Sequence, residues 1–376
     1  MKKYFVSTPS RICLFGEHQD YLGLEVVACA INLRFRAEIT RREDKTVQIQ
    51  IKDEKYSSFE HDQSSYQDIF IDLSKPIRYE NNRDYFKSSL NILLKNGYPI
   101  EGGFDIKMDS EIPIGKGMCS SSTMIVVFLK AILEAIESPD RNRPEKIAEL
   151  AFMAEVAEFQ EPGGKMDHYA SAIGGLVNID FGNNSTSVFP MNNPVDGCFL
   201  LFDSMEQKDT TRVLAESKIP TLRALEQLQP YGISSVRDFW QNQEKLKLLE
   251  NLENFERQKL QANINNYIIL QDAKKLISNC FDHQTFGRLL YEHHENLRDG
   301  LGISTPKIEQ ILECAMQSGA LGGKINGSGG GGCCYVYAER SKAETILEQV
   351  QNLGYPGKII VPDSGVRLDK TEEVTL

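Results

Sequence analysis

Four short segments of the chain concentrate residue types that could bind a ligand or transfer a group. The first runs along an apolar stretch from Arg11 to Glu17, His18 and Asp20. Two carboxylates flanking an imidazole predict a site for a polyhydroxylated ligand, because ionised carboxylates accept hydrogen bonds from hydroxyl groups. A single histidine is more often structural, so this interpretation depends on the whole cluster.

The second segment, residues 113–123, is a glycine- and serine-rich loop that leads into an apolar helix. Glycines let the backbone approach a ligand closely, amides at a helix N-terminus attract anions, and hydroxyl groups can reach a magnesium ion. The loop therefore has the ingredients of a phosphate site. It is not a P-loop, because no Gly-Lys pair in it is followed by Ser or Thr. A serine-rich helix cap is the alternative.

The third segment, residues 327–332, has five glycines in six positions and formally satisfies the GxGxxG pattern. A dinucleotide fingerprint must follow a strand and open a helix, whereas here a helix precedes the loop and an apolar strand follows it. The dinucleotide interpretation therefore fails. Each glycine costs backbone entropy on folding, so the loop is either a tight turn or a place where backbone approaches a ligand.

The fourth segment places Asp167 shortly after two glycines, with Glu155 on the preceding helix. An aspartate at such a position is usually a turn residue. By itself this segment therefore says little, and its meaning depends on the other three.

The elements that must position these segments follow from periodicity and from glycine and proline punctuation. Residues 4–51 are predicted to be rich in strands. Helices are predicted for residues 83–95, for 124–136, from Pro144 to residues 162–164, within 232–287, from Pro306 to residue 317, and for 341–352. Strands are predicted for residues 103–108, 333–338 and 357–361. A domain boundary is expected near residues 190–200.

Composition excludes several classes of protein. The chain of 376 residues has a formal charge of −11 and no dense basic cluster, so nucleic-acid binding is not expected. No apolar run approaches the roughly 20 residues of a membrane helix. Eight cysteines without a CxxC pair favour a reduced, cytoplasmic protein. We expect a monomer or a weak dimer.

Taken together, the four segments resemble the GHMP kinase superfamily in its galactokinase form. Residues 9–21, 113–123 and 327–333 are similar to its three motifs and occur in the same order. Residues 83–86 resemble the segment that lines the adenine pocket in galactokinases, and the spacing from Glu155 to Asp167 matches as well.

The resemblance implies an α+β fold of two domains with the active site in the cleft between them. Residues 1–195 are expected to form an N-terminal domain like domain 2 of ribosomal protein S5, with the sugar motif and the ATP loop. Residues 196–376 are expected to form a ferredoxin-like C-terminal domain.

The resemblance also implies residue roles. Asp167 matches the catalytic aspartate, and Arg11 matches the arginine that neutralises charge between this aspartate and the γ-phosphate. Ser121 and Glu155 match the ligands of Mg²⁺. Contacts with sugar hydroxyls are implied for Glu17, His18 and Asp20. Contacts with ATP are implied for Tyr85, Gly115, Lys116, Gly117, Met118, Cys119, Ser120, Ser121 and Ser122, and for the glycine loop Gly327, Ser328, Gly329 and Gly330. For Lys116 an exposed position is the stronger expectation.

The implied reaction is transfer of phosphate from ATP, with Mg²⁺, to the anomeric hydroxyl of galactose or a related aldose. Gln19 and residues 22–24 depart from the galactokinase pattern, so another hexose, a pentose or a uronic acid stays open. A mevalonate-type kinase and a non-catalytic sugar sensor are the alternatives. Metal hydrolysis at His293 and His294 lacks the HExxH spacing, and this pair is expected on a solvated helix face.

Overall fold

The structure is a computed structural model that describes residues 1–52, 66–113, 115–161, 163–182, 185–192, 195–208 and 210–373. Four residues of the segments singled out in the sequence lie outside these ranges. They are Ile114 in the serine-rich loop, Pro162 before Asp167, and the pair Asn193 and Pro194 at the expected domain boundary.

Strands and helices occur in separate runs along the described chain. The strands are β1 Lys2–Phe15, β2 Glu25–Arg41, β3 Thr46–Lys52, β4 Tyr66–Asp72, β5 Phe104–Ser110, β6 Leu176–Asp180, β7 Ser187–Pro190, β8 Cys198–Asp203, β9 Gly322–Ile325, β10 Cys333–Ala338, β11 Gly357–Ile360 and β12 Arg367–Glu373. The helices are α1 Tyr85–Lys95, α2 Ser120–Ala135, α3 Pro144–Phe152, α4 Met166–Ile173, α5 Thr210–Leu228, α6 Arg237–Gln241, α7 Asn254–Ser278, α8 His283–Glu295, α9 Pro306–Gln317 and α10 Ala343–Asn352.

Within the described ranges the strands form two sheets. The N-terminal sheet has the order β12-β1-β2-β5-β3-β4, with β6 paired to β2 and β7 paired to β6. The second sheet is antiparallel and has the order β11-β8-β10-β9. If its four strands are numbered 1 to 4 along the chain, their order in the sheet is 4-1-3-2. This order and the helices between the strands are those of a ferredoxin-like unit.

Helix α2 explains how the serine-rich loop is held. From Ile125 to Leu133 its residues are buried on every side, and it packs against β1, β2, α3 and α4. Apart from Lys130, which pairs with Glu134 at 2.6 Å, this stretch is apolar all round, as is typical of a helix in the core. The loop before Ser120 is therefore fixed to a rigid element.

Most predicted elements are confirmed, with three differences. The helix that begins at Pro144 changes at Met153–Ala157 into a π-helical turn, which carries Glu155. The predicted helical region 232–287 is split between α6, α7 and the start of α8, with a 3₁₀ segment Gln243–Asn251 between α6 and α7. Single π-helical turns often occur at functional sites, which makes the first difference relevant to Glu155.

The third difference concerns the C-terminal end. Strand β12 pairs with β1, so the chain returns to the N-terminal sheet after completing the second one. The division at residues 195 and 196 stays a prediction for the rest of the chain, but residues 367–373 belong to the first sheet. Among the described residues, the helices offer none with the length and apolar character that a membrane span requires.

His293 and His294 do not lie on a solvated face, so this prediction is wrong. Both side chains on α8 are fully buried. A ring nitrogen of His293 lies 3.3 Å from the Leu14 carbonyl oxygen, and His294 Nε2 lies 2.9 Å from a carboxylate oxygen of Glu309. Helix α8 is covered by β9 and by the end of β1, and these long-range contacts bury the pair.

Candidate active site

The four chemistry-bearing segments converge on one cleft of about 380 Å³. It lies where the end of β1, the loop before α2, the loop before α4 and the loop before β10 meet. The predicted site residues that line this cleft are Arg11, Glu17, His18, Asp20, Tyr85, Gly115, Gly117, Cys119, Ser120, Ser121, Ser122, Glu155, Asp167, Gly327 and Ser328.

Two of the loop residues predicted to contact ATP do not line the cleft. Met118 is buried in the core. Lys116 is not exposed as expected, because its ammonium forms an ion pair of 3.1 Å with Asp203 at the end of β8. Its backbone carbonyl oxygen also accepts a hydrogen bond of 2.8 Å from the Cys333 amide. Lys116 therefore joins the loop to the second sheet.

The glycine loop is only partly a ligand-facing element. Gly327 lies at the cleft, whereas Gly329 and Gly330 pack against protein. A Cβ on Gly329 would come within 2.6 Å of the Ile303 Cβ, and one on Gly330 within 2.7 Å of a Val213 methyl group. All three glycines have positive φ. Backbone conformation and close packing therefore require these glycines independently of any ligand.

Asp167 and Arg11 form the central pair of the cleft. Arg11 Nε lies 2.8 Å and its Nη2 lies 2.6 Å from the Asp167 Oδ1, and Arg11 Nη1 donates to the Gly117 carbonyl oxygen at 3.1 Å. The side chain of Arg11 is 3% exposed, whereas that of Asp167 is 31% exposed. Burial by itself would lower the pKa of Arg11, but Asp167 raises it overall. The arginine is thus a fixed cation, and the carboxylate stays open to the cleft.

Asp20 lies on the short turn after β1 and faces the segment that leads into α4. Its two carboxylate oxygens accept hydrogen bonds from the amides of Tyr21, at 2.9 Å, and Met166, at 3.2 Å. A Cβ on Gly164 would lie within 1.8 Å of this carboxylate, so only glycine allows the approach. Burial and the nearby charge of Asp167 raise the pKa of Asp20 to about 6.

Glu17 forms a buried ion pair with Lys324 of β9. The Lys324 ammonium lies 2.8 Å from a Glu17 carboxylate oxygen and also donates to the carbonyl oxygens of Cys13 and Ile325. Burial pushes the pKa of Glu17 up, but Lys324 and Arg11 lower it overall. The predicted sugar-facing carboxylate is therefore ionised and held from the opposite sheet.

His18 is held on both sides of its ring. Nε2 lies 3.0 Å from the Ser328 carbonyl oxygen, and Nδ1 lies 2.9 Å from the Tyr21 hydroxyl. Burial lowers the pKa of His18 to about 4, so the ring is neutral at neutral pH. A carbonyl only accepts, so Nε2 carries the proton and Nδ1 accepts from Tyr21. Contact between His18 and a sugar would require one of these bonds to be exchanged.

Left-handed backbone also occurs at cleft residues other than glycine. His18 has a φ of 63° and Cys119, the residue before α2, has a φ of 48°. Left-handed backbone at residues other than glycine is uncommon, and it clusters at functional sites. The strained backbone at these two residues therefore supports the cleft as the functional site.

Ser121 and Glu155 meet at the N-terminus of α2 and fit the oxygen ligands that Mg²⁺ prefers. Glu155 accepts hydrogen bonds from Ser121, from Ser122 at 2.7 Å and from His168 Nε2 at 2.6 Å. Burial pushes the pKa of Glu155 up, but these hydrogen bonds lower it overall. A hydroxyl and an ionised carboxylate are a suitable protein share for Mg²⁺, which takes its other ligands from phosphates and water. The ion would neutralise phosphate charge there.

We expect Ser121→Ala and Glu155→Gln each to raise the Mg²⁺ concentration needed for half-maximal activity, because each weakens one oxygen ligand. The measurement is a Mg²⁺ titration of the initial rate at saturating ATP. Glu158→Ala is the control, since Glu158 lies one turn further along and pairs with Lys95 outside the cleft. Unchanged Mg²⁺ dependence in both variants would remove these residues from the metal site.

Sequence reasoning missed three residues that the structure places in the site. Lys208 and His168 line the cleft, and Lys324 is buried behind it, where it forms an ion pair with Glu17. The only local signal is the position of His168 directly after Asp167. Lys208 and Lys324 are ordinary lysines in the sequence, and only the pairing of β8, β9 and β10 brings Lys208 to the cleft and Lys324 to Glu17.

The chain matches family models along much of its length. Residues 84–175 match the GHMP kinases N terminal domain, residues 273–356 match the GHMP kinases C terminal domain, and residues 1–41 match the galactokinase galactose-binding signature. The last of these ranges includes Arg11, Glu17, His18 and Asp20.

Proteins similar to this chain include both mevalonate kinases and galactokinases. The chain is 24% identical to a mevalonate kinase of Thermococcus onnurineus, over 98% of this chain and 99% of that protein. It is 26% identical to a galactokinase of Exiguobacterium sibiricum, over 95% and 91%. The crystal structure of Lactococcus lactis galactokinase complexed with galactose superposes with a TM-score of 0.78 at 21% identity, over 97% of this chain and 95% of that one. This last similarity shows the shared fold.

The matched domains contain the converging segments, and the two sheets form the fold that these segments implied. Galactokinases and mevalonate kinases are similar to the chain at nearly equal identity. These similarities identify the family but not the acceptor of the phosphate. The chain belongs to the GHMP kinase family.

Proposed function

We propose that this protein transfers the γ-phosphate of ATP to the anomeric hydroxyl of galactose or a closely related aldose. The observation that carries the proposal is the acidic turn after β1, where Asp20 faces the segment that leads to Asp167. A ring sugar offers several hydroxyl donors in fixed directions, and acceptor-only carboxylates orient such a ligand. The match of residues 1–41 to the galactose-binding signature supports the same acceptor.

The chain's own residues suit phosphoryl transfer, which needs positioning and charge neutralisation more than covalent chemistry. Asp167 would accept the hydrogen bond, and then the proton, of the acceptor hydroxyl while Arg11 holds the carboxylate in place. The hydroxyl oxygen forms its new bond to phosphorus as the bond to ADP breaks. Ser120 and Ser121 at the start of α2 would contact the phosphates, where the helix N-terminus favours negative charge.

Mevalonate phosphorylation is the second candidate, because the mevalonate kinase of T. onnurineus matches nearly all of the chain. Mevalonate has no ring of hydroxyl groups for Glu17 and Asp20 to bind, which favours the sugar. Release of ADP should be measured with a panel of aldoses and with mevalonate. Proton-coupled phosphorus NMR of the product should show coupling to the anomeric proton. Phosphate on a primary carbon, or turnover of mevalonate alone, would refute the sugar 1-kinase.

We expect Asp20→Ala to raise the KM for the sugar far more than the KM for ATP. A buried partner left unpaired costs about 1–3 kcal/mol, which is roughly 5- to 150-fold in affinity. Since the pKa of Asp20 is about 6, kcat/KM for the sugar should also fall as the pH drops below about 6 and the carboxylate is protonated. Asp180→Ala is the control, because Asp180 pairs with Arg237 outside the cleft. Equal shifts in both KM values would contradict the assignment.

A further inference from the structure

Lys208 reaches the cleft between the two glycine loops. A Cβ on Gly117 would lie 2.5 Å from the Lys208 Nζ, and one on Gly332 would lie 2.8 Å from its Cδ. The lysine side chain therefore fills the space that these two glycines leave open. Its ammonium lies beside Gly117, whose carbonyl oxygen accepts from Arg11. This position is next to the Arg11–Asp167 pair and on the phosphate side of the cleft.

In the described part of the chain, the contacts of Lys208 differ from those of the other lysines near the cleft. Among the described residues, none is hydrogen-bonded or ion-paired to its Nζ, whereas Lys116 pairs with Asp203 at 3.1 Å and Lys324 with Glu17 at 2.8 Å. An ammonium has three donors. A partly buried cation with three unused donors at the cleft is suited to an anionic ligand.

We propose that Lys208 is a catalytic residue that binds the terminal phosphate of ATP and contacts the phosphoryl group during its transfer. The inference deepens the kinase function proposed above, but it concerns the nucleotide and does not depend on which acceptor is used. Besides Mg²⁺, Arg11 adds little compensation for the phosphate charge, because its guanidinium already pairs with Asp167. Phosphoryl transfer needs cations around the three equatorial oxygens.

An anionic group on the acceptor is the other ligand that Lys208 could bind, and geometry argues against it. Lys208 interacts with the charge of Glu17, but the part of the acceptor turn nearest Asp167 is approached by Lys218, whose ammonium lies 5.2 Å from the centre of the Tyr21 ring and interacts with the charge of Asp20. Lys208 lies instead against Gly117 in the loop before α2. The nucleotide is therefore the better match.

The protonation of Lys208 gives a second readout. Burial lowers the pKa of Lys208 to about 8, so it is charged at neutral pH and loses its proton as the pH rises through this value. The titratable and charged groups that face it are Glu17, Asp167, Cys333, Arg11 and His18. Glu17 raises the pKa and Arg11 lowers it.

The test compares the affinities for a non-hydrolysable ATP analogue and for ADP by calorimetry, without an acceptor. Lys208→Met should weaken binding of the analogue at least about tenfold, the loss of one hydrogen bond between charged groups, and leave ADP binding unchanged. Retained ADP binding also shows that the variant is folded. Lys208→Gln, which keeps the polar head, is measured in the same way. Lys259→Met is the control, because Lys259 donates to the Leu301 carbonyl oxygen outside the cleft.

The pH dependence of kcat/KM for ATP shows whether the charge of Lys208, and not only the size of its side chain, contributes to activity. The wild-type profile should fall above about pH 8, and the residual activity of Lys208→Met should lack this fall. Unchanged affinity for the analogue, or an equal loss for ADP in both variants, would overturn the proposal. A raised KM for the acceptor alone would also overturn it. Because no acceptor enters the calorimetry, failure of the sugar 1-kinase proposal would leave this result interpretable.

Discussion

Replacement of Asp167 by Asn should lower kcat by at least ~10²-fold while nucleotide binding persists, in the range expected when a general base is lost. Asparagine keeps the shape and still accepts a hydrogen bond from Arg11. It cannot accept a proton, and it leaves the Arg11 charge without the partner that now lies 2.6 Å away. The measurement is kcat from ADP release at saturating sugar, together with the Kd for ADP.

The chain offers a matched control for this variant. Arg34 and Asp363 form a similar pair at 2.7 Å, with a nearly buried arginine and a partly exposed aspartate, but they lie away from the cleft. Asp363→Asn should therefore have a similar structural cost and keep kcat. If Asp167→Asn loses no more activity than Asp363→Asn, Asp167 has no part in the transfer step.

Replacement of Lys324 by Met should destabilise the folded protein by about 3–5 kcal/mol, because it leaves the charge of Glu17 buried without its partner. The Lys324 side chain is fully buried and Glu17 is 2% exposed. The carbonyl oxygens of Cys13 and Ile325 lose their donor at the same time. Unfolding in urea, followed by circular dichroism, measures the loss.

The pH dependence of this loss has a defined sign. In the wild type the pKa of Glu17 is lowered from 4.5. The ion pair therefore contributes its full stability above pH 4.5, and this contribution is lost as the pH falls through the pKa of Glu17 in the folded state. The difference between Lys324→Met and wild type should therefore be largest near neutral pH and shrink below about pH 4.5.

Lys146→Met is the control for Lys324→Met. Lys146 pairs with Glu149 at 2.8 Å, the same distance as in the buried pair, but its side chain is 27% exposed and that of Glu149 is 52% exposed. An exposed pair contributes about 0–1 kcal/mol. Equal losses in the two variants would mean that the Lys324–Glu17 pair is not a structural link between the sheets.

Local pattern was sufficient for most of the elements, and the resemblance of three motifs to a known superfamily indicated the family. The helix at residues 83–95, the helix that begins at Pro306 and the strand at residues 333–338 follow from periodicity and punctuation, and the structure confirms them. The order of the three motifs implied the two-domain fold, and the matched domains confirm it. Periodicity and each single motif depend on residues close together in the chain, so both can be recognised in the sequence alone.

Tertiary structure decided where individual polar side chains point. Lys116, expected to be exposed, is held by Asp203, and His293 and His294, expected on a solvated face, are buried by β1 and β9. Lys324 reaches Glu17 across 307 positions of the chain. The side chain of a lysine or histidine is long and polar in any sequence, and only the elements that pack around it determine whether it meets water, a carboxylate or a ligand. The sequence by itself therefore determined the cleft-forming motifs and, through their resemblance to a family, the fold, while strand pairing in the second sheet brought Lys208 to the cleft and Lys324 to Glu17.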